Sequence, residues 1–485
     1  MEKLHRREVF WDEYLMDQWD GVQVKMHEPR REEIVFACDE SWEGNVSGYF
    51  QIFRDGDIYR MYYRGAHIDL DTDGRCRSSV LGQFCYAESR DGIHFTRPDL
   101  GIVNWKGSMH NNILFAREMD NIFIFRDDNP ACPKEERYKG LCGEYMKGLM
   151  LYTSTDGVHF SEAGRNVIEK GHFDSLNTCF WNPETKKYEL YYRRFHDAGD
   201  TPLDQLTRNV EGIVRDVYWC ESEDFVHWTE GHPLDYGADS PDYQMYTNNV
   251  MVYPRAKYMH IGFPTRYMER RMDVSSILSL PNWRLRKGLI EDEDRSGTAM
   301  TDTMIMTSRD GLHFRRTGEA YIRPGMEFSD NWVYGDCYMA YGMTETREPV
   351  SGNTEWSMYT TENYRIGPVR WRRYSSRLDG FFSWHGDWKP GHVLTKPVTF
   401  EGDSMNINFS TSAQGHVRIR LCDENGEVME GYDSGYLFGD ALRREVEFEK
   451  KLGELAGKTV RMRIEICDAD LYSMEIAHRL PPHLQ

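Results

Sequence analysis

Nowhere in the 485 residues does an apolar run approach the roughly 18 residues that a membrane-spanning helix needs. The opening stretch, MEKLHRREVFWDEYLMDQWDG, holds no apolar segment of signal-peptide type. Basic residues are in deficit: 59 Lys and Arg against 79 Asp and Glu leave a formal charge of -20 and a pI near 5.4. Such a balance argues against nucleic acid and anionic membranes as partners, because their phosphates need a basic footprint. The ten cysteines stand singly, without the paired spacing of a zinc site or the density of a disulfide scaffold. They read as buried thiols in a reducing compartment, which makes a cytoplasmic protein the expectation. Helical periodicity is almost missing as well. Its one candidate, Met272–Arg295, is interrupted by Pro281 and reads as an irregular, partly helical insertion.

What the chain does have is a phrase that it repeats. SRDGIHF at Ser89–Phe95 returns as STDGVHF at Ser154–Phe160, SEDFVHW at Ser222–Trp228 and SRDGLHF at Ser308–Phe314. The copies start 65, 68 and 86 residues apart, and the insertion accounts for the longest interval. Each is flanked by short aromatic or apolar runs, so it joins two strands through a tight turn. Upstream of each copy lies a further pair of strands, the second opening on Tyr59, Tyr138, Tyr188 or Tyr258. A fifth, degenerate copy reads as a first strand in Asp336–Thr346, a third in Glu355–Asn363 and a fourth in Val369–Tyr374.

Five four-stranded units predict an all-β fold, a five-bladed β-propeller over residues 1–385. Downstream, short alternating runs at 8–12-residue spacing predict a C-terminal β-sandwich over 386–485. The 13% aromatic content suits sheet packing first and a ring-lined sugar cleft second.

Propeller topology turns sequence position into location. The turn joining the first and second strands and the repeated phrase share one face. The starts of the first strands and the ends of the second share the other. The Asp and His of the phrase (Asp91, Asp156, Asp310; His94, His159, His313) are therefore turn residues. So is Asp127, although Phe125-Arg126-Asp127 resembles an Arg-Asp-Pro motif of fructan-cleaving hydrolases. The opposite mouth is expected to gather Glu43, Asp120, Asp174, Tyr246, Asn248 and Asp336 with Arg64, Glu144, Arg193 and Arg266. Cleaving a glycosidic bond needs two carboxyl groups flanking it. Asp174, with Glu43, Asp336 and Glu144, is the candidate catalytic set. Arg64, Asn177, Arg193, Tyr246, Asn248 and Arg266 are the candidate substrate-binding ring.

Five blades, an acidic mouth and an appended sandwich together resemble the five-bladed propeller glycoside hydrolases of families 32, 43, 62 and 68. The closest resemblance is to family 32-like proteins with an FD-x-x-N…FW strand, here Phe173 to Trp181. By that likeness Asp174 corresponds to the aspartate that stabilises the transition state. The Asn-Asp-Pro-Asn-Gly nucleophile motif has no counterpart, since blade 1 carries Trp42-Glu43-Gly44-Asn45, and the nucleophile stays unassigned. The expectation is a glycosidase acting on a small oligosaccharide or glycoside, with a glycoside phosphorylase or a non-catalytic carbohydrate-binding propeller as alternatives. No cofactor is implied and no metal motif is present. A structural divalent cation in the channel and a homo-oligomer are both compatible with the sequence.

Overall fold

The computed structural model describes residues 2–144, 148–197 and 212–479, without the side chains of residues 78–81 and 144. The chain divides into two compact units. One comprises Arg30–Tyr253 and Lys257–Ser375; the other comprises Met1–Pro29, Pro254–Ala256 and Ser376–Gln485.

The larger unit is the five-bladed propeller. Its first four blades follow the repeat, with inner strands Gly48–Asp55, Ile122–Arg126, Thr178–Asn182 and Met251–Val252. Each continues outward through antiparallel neighbours, as in blade 3, where Tyr191 faces both Thr178 and Trp219. Inner strands touch side by side from blade 1 through blade 4 and again between blades 5 and 1. Buried amides stitch them together. Gln51 of blade 1 donates to the Ile122 carbonyl of blade 2 at 2.7 Å, and Asn249 of blade 4 donates to the Met339 carbonyl at 2.7 Å.

Blade 5 departs from its expected composition. Thr344–Arg347 is innermost, followed by Thr354–Glu362 and Arg370–Arg377, and its outer strand is Arg30–Ala37 from the beginning of the unit. The runs read as third and fourth strands are thus the second and third. The physical reason is closure: pairing Phe36 to Trp371 and Ala37 to Arg370 covers the edge where the ring would otherwise end.

The repeated phrase is a self-contained turn. In blade 1 the Ser89 hydroxyl accepts from the Gly92 N–H at 2.9 Å. Asp91 Oδ1 accepts from the Ile93 and His94 N–H groups at 2.9 and 2.8 Å, and Oδ2 holds His94 Nδ1 at 2.7 Å. Blades 2, 3 and 4 repeat these contacts. The position after the aspartate has positive φ in every copy, and in blade 3 Phe225 adopts it at 65° where the others use glycine.

The blade 4 insertion contains the helices Val274–Ile277, Trp283–Asp292 and Asp294–Thr298 between the paired strands Thr265–Glu269 and Ala299–Thr303. No helix among the described residues is long and apolar enough to cross a membrane. All ten cysteines are free thiols.

In the smaller unit, nine strands join one branched sheet among the described residues. Two long strands, Ser404–Cys422 and Arg461–Ala477, pair along most of their length. Met16–Asp20 pairs with Gly391–Thr395, and Val22–Met26 pairs with Phe382–Gly386. Phe10, Trp384, Phe409, Ile419 and Ile464 share its core. The boundary therefore differs from the expected 385/386: residues 376–385 and the first 29 belong to this unit because their strands and side chains are buried in it.

Candidate active site

A cavity of about 360 Å³ opens in the propeller unit where loops entering the inner strands meet the ends of second strands and the blade 4 insertion. Three carboxylates reach its wall: Asp120, Asp174 and Glu293. So do the guanidiniums of Arg64, Arg295 and Arg365, and the rings of Tyr49, Tyr246, Tyr334, Tyr338 and Tyr364.

Asp174 sits on the loop before the inner strand of blade 3, and two buried amides shape that loop. Asn121 Nδ2 donates to the carbonyls of Phe173 and Ser175 at 2.7 and 3.2 Å. Asn177 Nδ2 donates to the same pair at 3.1 and 2.7 Å. Arg193, near the end of the second strand, ion-pairs with the Asp174 carboxylate and anchors its Nε on the His172 carbonyl at 3.2 Å. The arginine side chain is 5% exposed and the aspartate 40%. The anion is presented to the cavity while its cation is held behind.

Blade 1 and blade 2 build a similar pair. Arg64 runs past Gly82, where a Cβ would lie 2.7 Å from the arginine Cδ, and its Nη2 donates to the Val46 carbonyl at 2.9 Å. Its Nη1 pairs with Asp120, which is largely exposed.

The third cluster is centred on Arg295 of the insertion. Its Nε donates to the Tyr267 hydroxyl at 2.9 Å, and its Nη2 to the Tyr334 and Tyr246 hydroxyls at 2.7 and 3.3 Å. Among the described residues no carboxylate pairs with it. Tyr334 also donates to the Tyr246 oxygen at 2.9 Å. Glu293 lies 3.9 Å from Arg365 and accepts from the Ser296 hydroxyl.

No protein-family model and no curated protein matches the chain. Solved structures do. One is an N-acetylgalactosamine deacetylase from F. plautii in complex with blood group B trisaccharide: 11% identity, 74% of this chain and 96% of that one, TM-score 0.45. A second is a family 43 arabinoxylan arabinofuranohydrolase from Bacillus subtilis, with 10% identity, 90% and 96% coverage and a TM-score of 0.40. A third is the catalytic domain of a family 62 α-L-arabinofuranosidase from Coprinopsis cinerea, with 9% identity, 72% and 99% coverage and a TM-score of 0.39.

The cavity unites Asp120, Asp174, Arg64 and Tyr246 of the residues singled out from sequence, with Arg193 directly behind Asp174. The remaining candidates lie elsewhere or act indirectly. Glu43 is buried and fully engaged: it accepts from the Tyr63 hydroxyl and from Arg97 Nε and Nη2 at 3.0 and 2.8 Å. Asp336 is buried off the cavity wall, its carboxyl oxygens without a hydrogen-bond partner of good geometry. Burial pushes its carboxyl well above the usual range. Asn177 positions the Asp174 loop and does not face the cavity. Asn248 accepts from the Thr178 hydroxyl at 2.7 Å and ties blades 3 and 4 together. Arg266 is held by Asp302, with Nε–Oδ1 at 3.0 Å, and lines a separate cavity of about 710 Å³ with Met300, Met326 and Trp332. Glu144 ends the strand Tyr138–Glu144, and its side chain lies outside the described residues. Asp127 is buried against Lys139 Nζ at 2.6 Å, remote from the cavity wall.

Sequence reasoning missed Glu293, Arg295, Tyr49, Tyr334, Tyr338, Tyr364 and Arg365 as cavity residues. The first two come from the insertion, which broke the repeat register, and an insertion at the mouth of a repeat fold was the available signal. Among the described residues no group of three or more His, Cys, Asp or Glu side chains is placed to hold a metal ion.

Proposed function

We propose that this protein cleaves a glycosidic bond in the 360 Å³ cavity of its propeller unit. The observation carrying this reading is the meeting of Asp120, Asp174 and Glu293 in one cavity with five tyrosine rings and three arginines. Glycosidic cleavage asks for one carboxyl group to protonate the leaving oxygen and a base or nucleophile on the other side. Asp174, held by Arg193 and the two asparagines, is the anion that faces the positive charge developing at the anomeric carbon. Glu293, loosely paired with Arg365, is the candidate acid. The rings supply flat surfaces for sugar faces, and the arginines supply hydrogen-bond donors for hydroxyl oxygens.

A glycoside phosphorylase is the second reading, favoured by Arg295, whose N–H groups meet phenol oxygens and no described carboxylate. A phosphate oxyanion would suit that guanidinium. The experiment is a panel of aryl glycosides and small oligosaccharides assayed with and without phosphate, using the wild type and Asp174→Asn. Hydrolysis that falls by about 10²–10⁴-fold in the variant fits the first reading. Turnover that requires phosphate fits the second. Binding without any product across the panel would sink both.

A further inference from the structure

Tyr246 is the phenol whose surroundings favour its anion. It lies on the loop entering the inner strand of blade 4, and its backbone is clamped on both sides. Its N–H donates to the Thr265 carbonyl at 2.7 Å, and its carbonyl accepts from Ser175 Oγ at 2.8 Å. The loop carrying Tyr246 is thereby tied to the loop carrying Asp174.

The side-chain oxygen of Tyr246 accepts hydrogen bonds from Tyr334 O–H and from Arg295. Its own proton has no acceptor among the described residues. Three guanidiniums approach the ring, with Arg193 and Arg295 each 5.7 Å and Arg215 5.6 Å from its centroid. Of these, Arg193 is paired with Asp174, Arg215 donates to the Gln244 amide oxygen, and Arg295 meets only phenols. Two positive charges therefore face this ring without a described carboxylate partner.

The neighbouring phenols behave differently. Tyr267, Tyr334 and Tyr338 contact the ring of Tyr246. Burial pushes all three up, and Tyr49 with them. For Tyr246 burial acts in the same direction, but Arg295, Arg193 and the hydrogen bond from Tyr334 outweigh it and bring the phenol down to about 7. A tyrosine in water titrates near 10.

We propose that Tyr246 is the proton acceptor of this cavity, held as a phenolate by Arg295 and Tyr334. The idea rests on the glycoside-cleaving reading for its chemistry and on the hydrogen-bond pattern for the ionisation. In hydrolysis the phenolate oxygen takes a proton from water. The electron pair of the broken O–H bond forms the new bond to the anomeric carbon. The glycosidic C–O bond breaks with its pair on the leaving oxygen, which takes a proton from a carboxylic acid of the cavity. The phenol then returns its proton to solvent and the carboxylate takes one up, which restores both groups.

The test is a pH titration of the phenolate absorbance band in the intact protein, run beside the pH profile of kcat/KM. One phenol should ionise between about pH 6 and 8, well below the value near 10 of a tyrosine in water. Tyr246→Phe should abolish that step and lower kcat/KM by about 10²–10⁴-fold. Arg295→Met should move the step upward by about 1–3 pH units, with the acid limb of the pH profile following it. Tyr334→Phe gives a second, gentler variant, with a smaller upward shift.

Absorbance that stays flat until the alkaline range overturns the proposal. So does a Tyr246→Phe enzyme that keeps the acid limb and its rate. If the neutral-range step is present and no glycoside is turned over, the glycoside reading fails while the ionisation of Tyr246 stands.

Discussion

Glu43 and Asp174 occupy equivalent places in the sequence, each on a loop entering an inner strand, and the structure gives them opposite fates. Arg97 and Tyr63 enclose Glu43 and take up both of its oxygens. Asp174 has Arg193 on one side and the cavity on the other. Glu43 should therefore matter for stability. Glu43→Ala leaves the Arg97 guanidinium, 23% exposed, without its main partner, and should cost about 3 kcal/mol of unfolding free energy in a denaturant titration. The activity of the folded fraction should change less than twofold. A large loss of kcat at unchanged stability would return Glu43 to the catalytic set. Topology could be read from the repeat and put both carboxylates on loops entering inner strands. Exposure could not, because it depends on Tyr63 and Arg97, which arrive from 20 and 54 residues away.

At the scale of elements, the repeated turns were legible because each is local: serine, aspartate and histidine close their bonds within six residues. The blade 4 insertion was legible as an irregular, partly helical segment, but its position was not, because distant contacts set it. Arg286 donates to the carbonyls of Asn331 and Trp332 at 2.7 and 2.6 Å. Gly288 lies against the backbone at Asp73, where a Cβ would come within 1.3 Å of the carbonyl oxygen. This makes Gly288→Ala a discriminating change. Helix propensity alone predicts a gain of about 1 kcal/mol. The close approach predicts that the helix Trp283–Asp292 must shift, carrying Glu293 and Arg295 with it. The expected result is a KM raised about tenfold or more and faster amide exchange over residues 283–298. A variant that melts higher with unchanged KM would show that the helix position is irrelevant to the cavity.

Across the whole molecule, both units recruit strands that the order of the sequence conceals. Arg30–Ala37 closes the propeller ring, and Arg7–Val9, Met16–Asp20 and Val22–Met26 join the sheet of the smaller unit. Neither assignment follows the repeat, since these strands pair with partners more than 300 residues away and carry no turn phrase. The consequence is testable by cutting the chain. A fragment of residues 386–485 lacks Phe10, Leu15, Met16, Val22 and Trp384, all buried in the core of its unit. Each contributes about 1.5–3 kcal/mol by burial, and together they approach or exceed the 5–15 kcal/mol that typically holds a domain folded. The cut also strips Gly391–Thr395 of its partner Met16–Asp20 and leaves it as an open edge. The fragment should show no cooperative thermal transition by circular dichroism and should aggregate on concentration. Joining residues 376–485 through a flexible linker to residues 1–29 restores those side chains and should bring back a cooperative transition. A cooperative transition in the shorter fragment would mean that the two long strands suffice for the fold, with the N-terminal strands as additions to a sheet already stable without them.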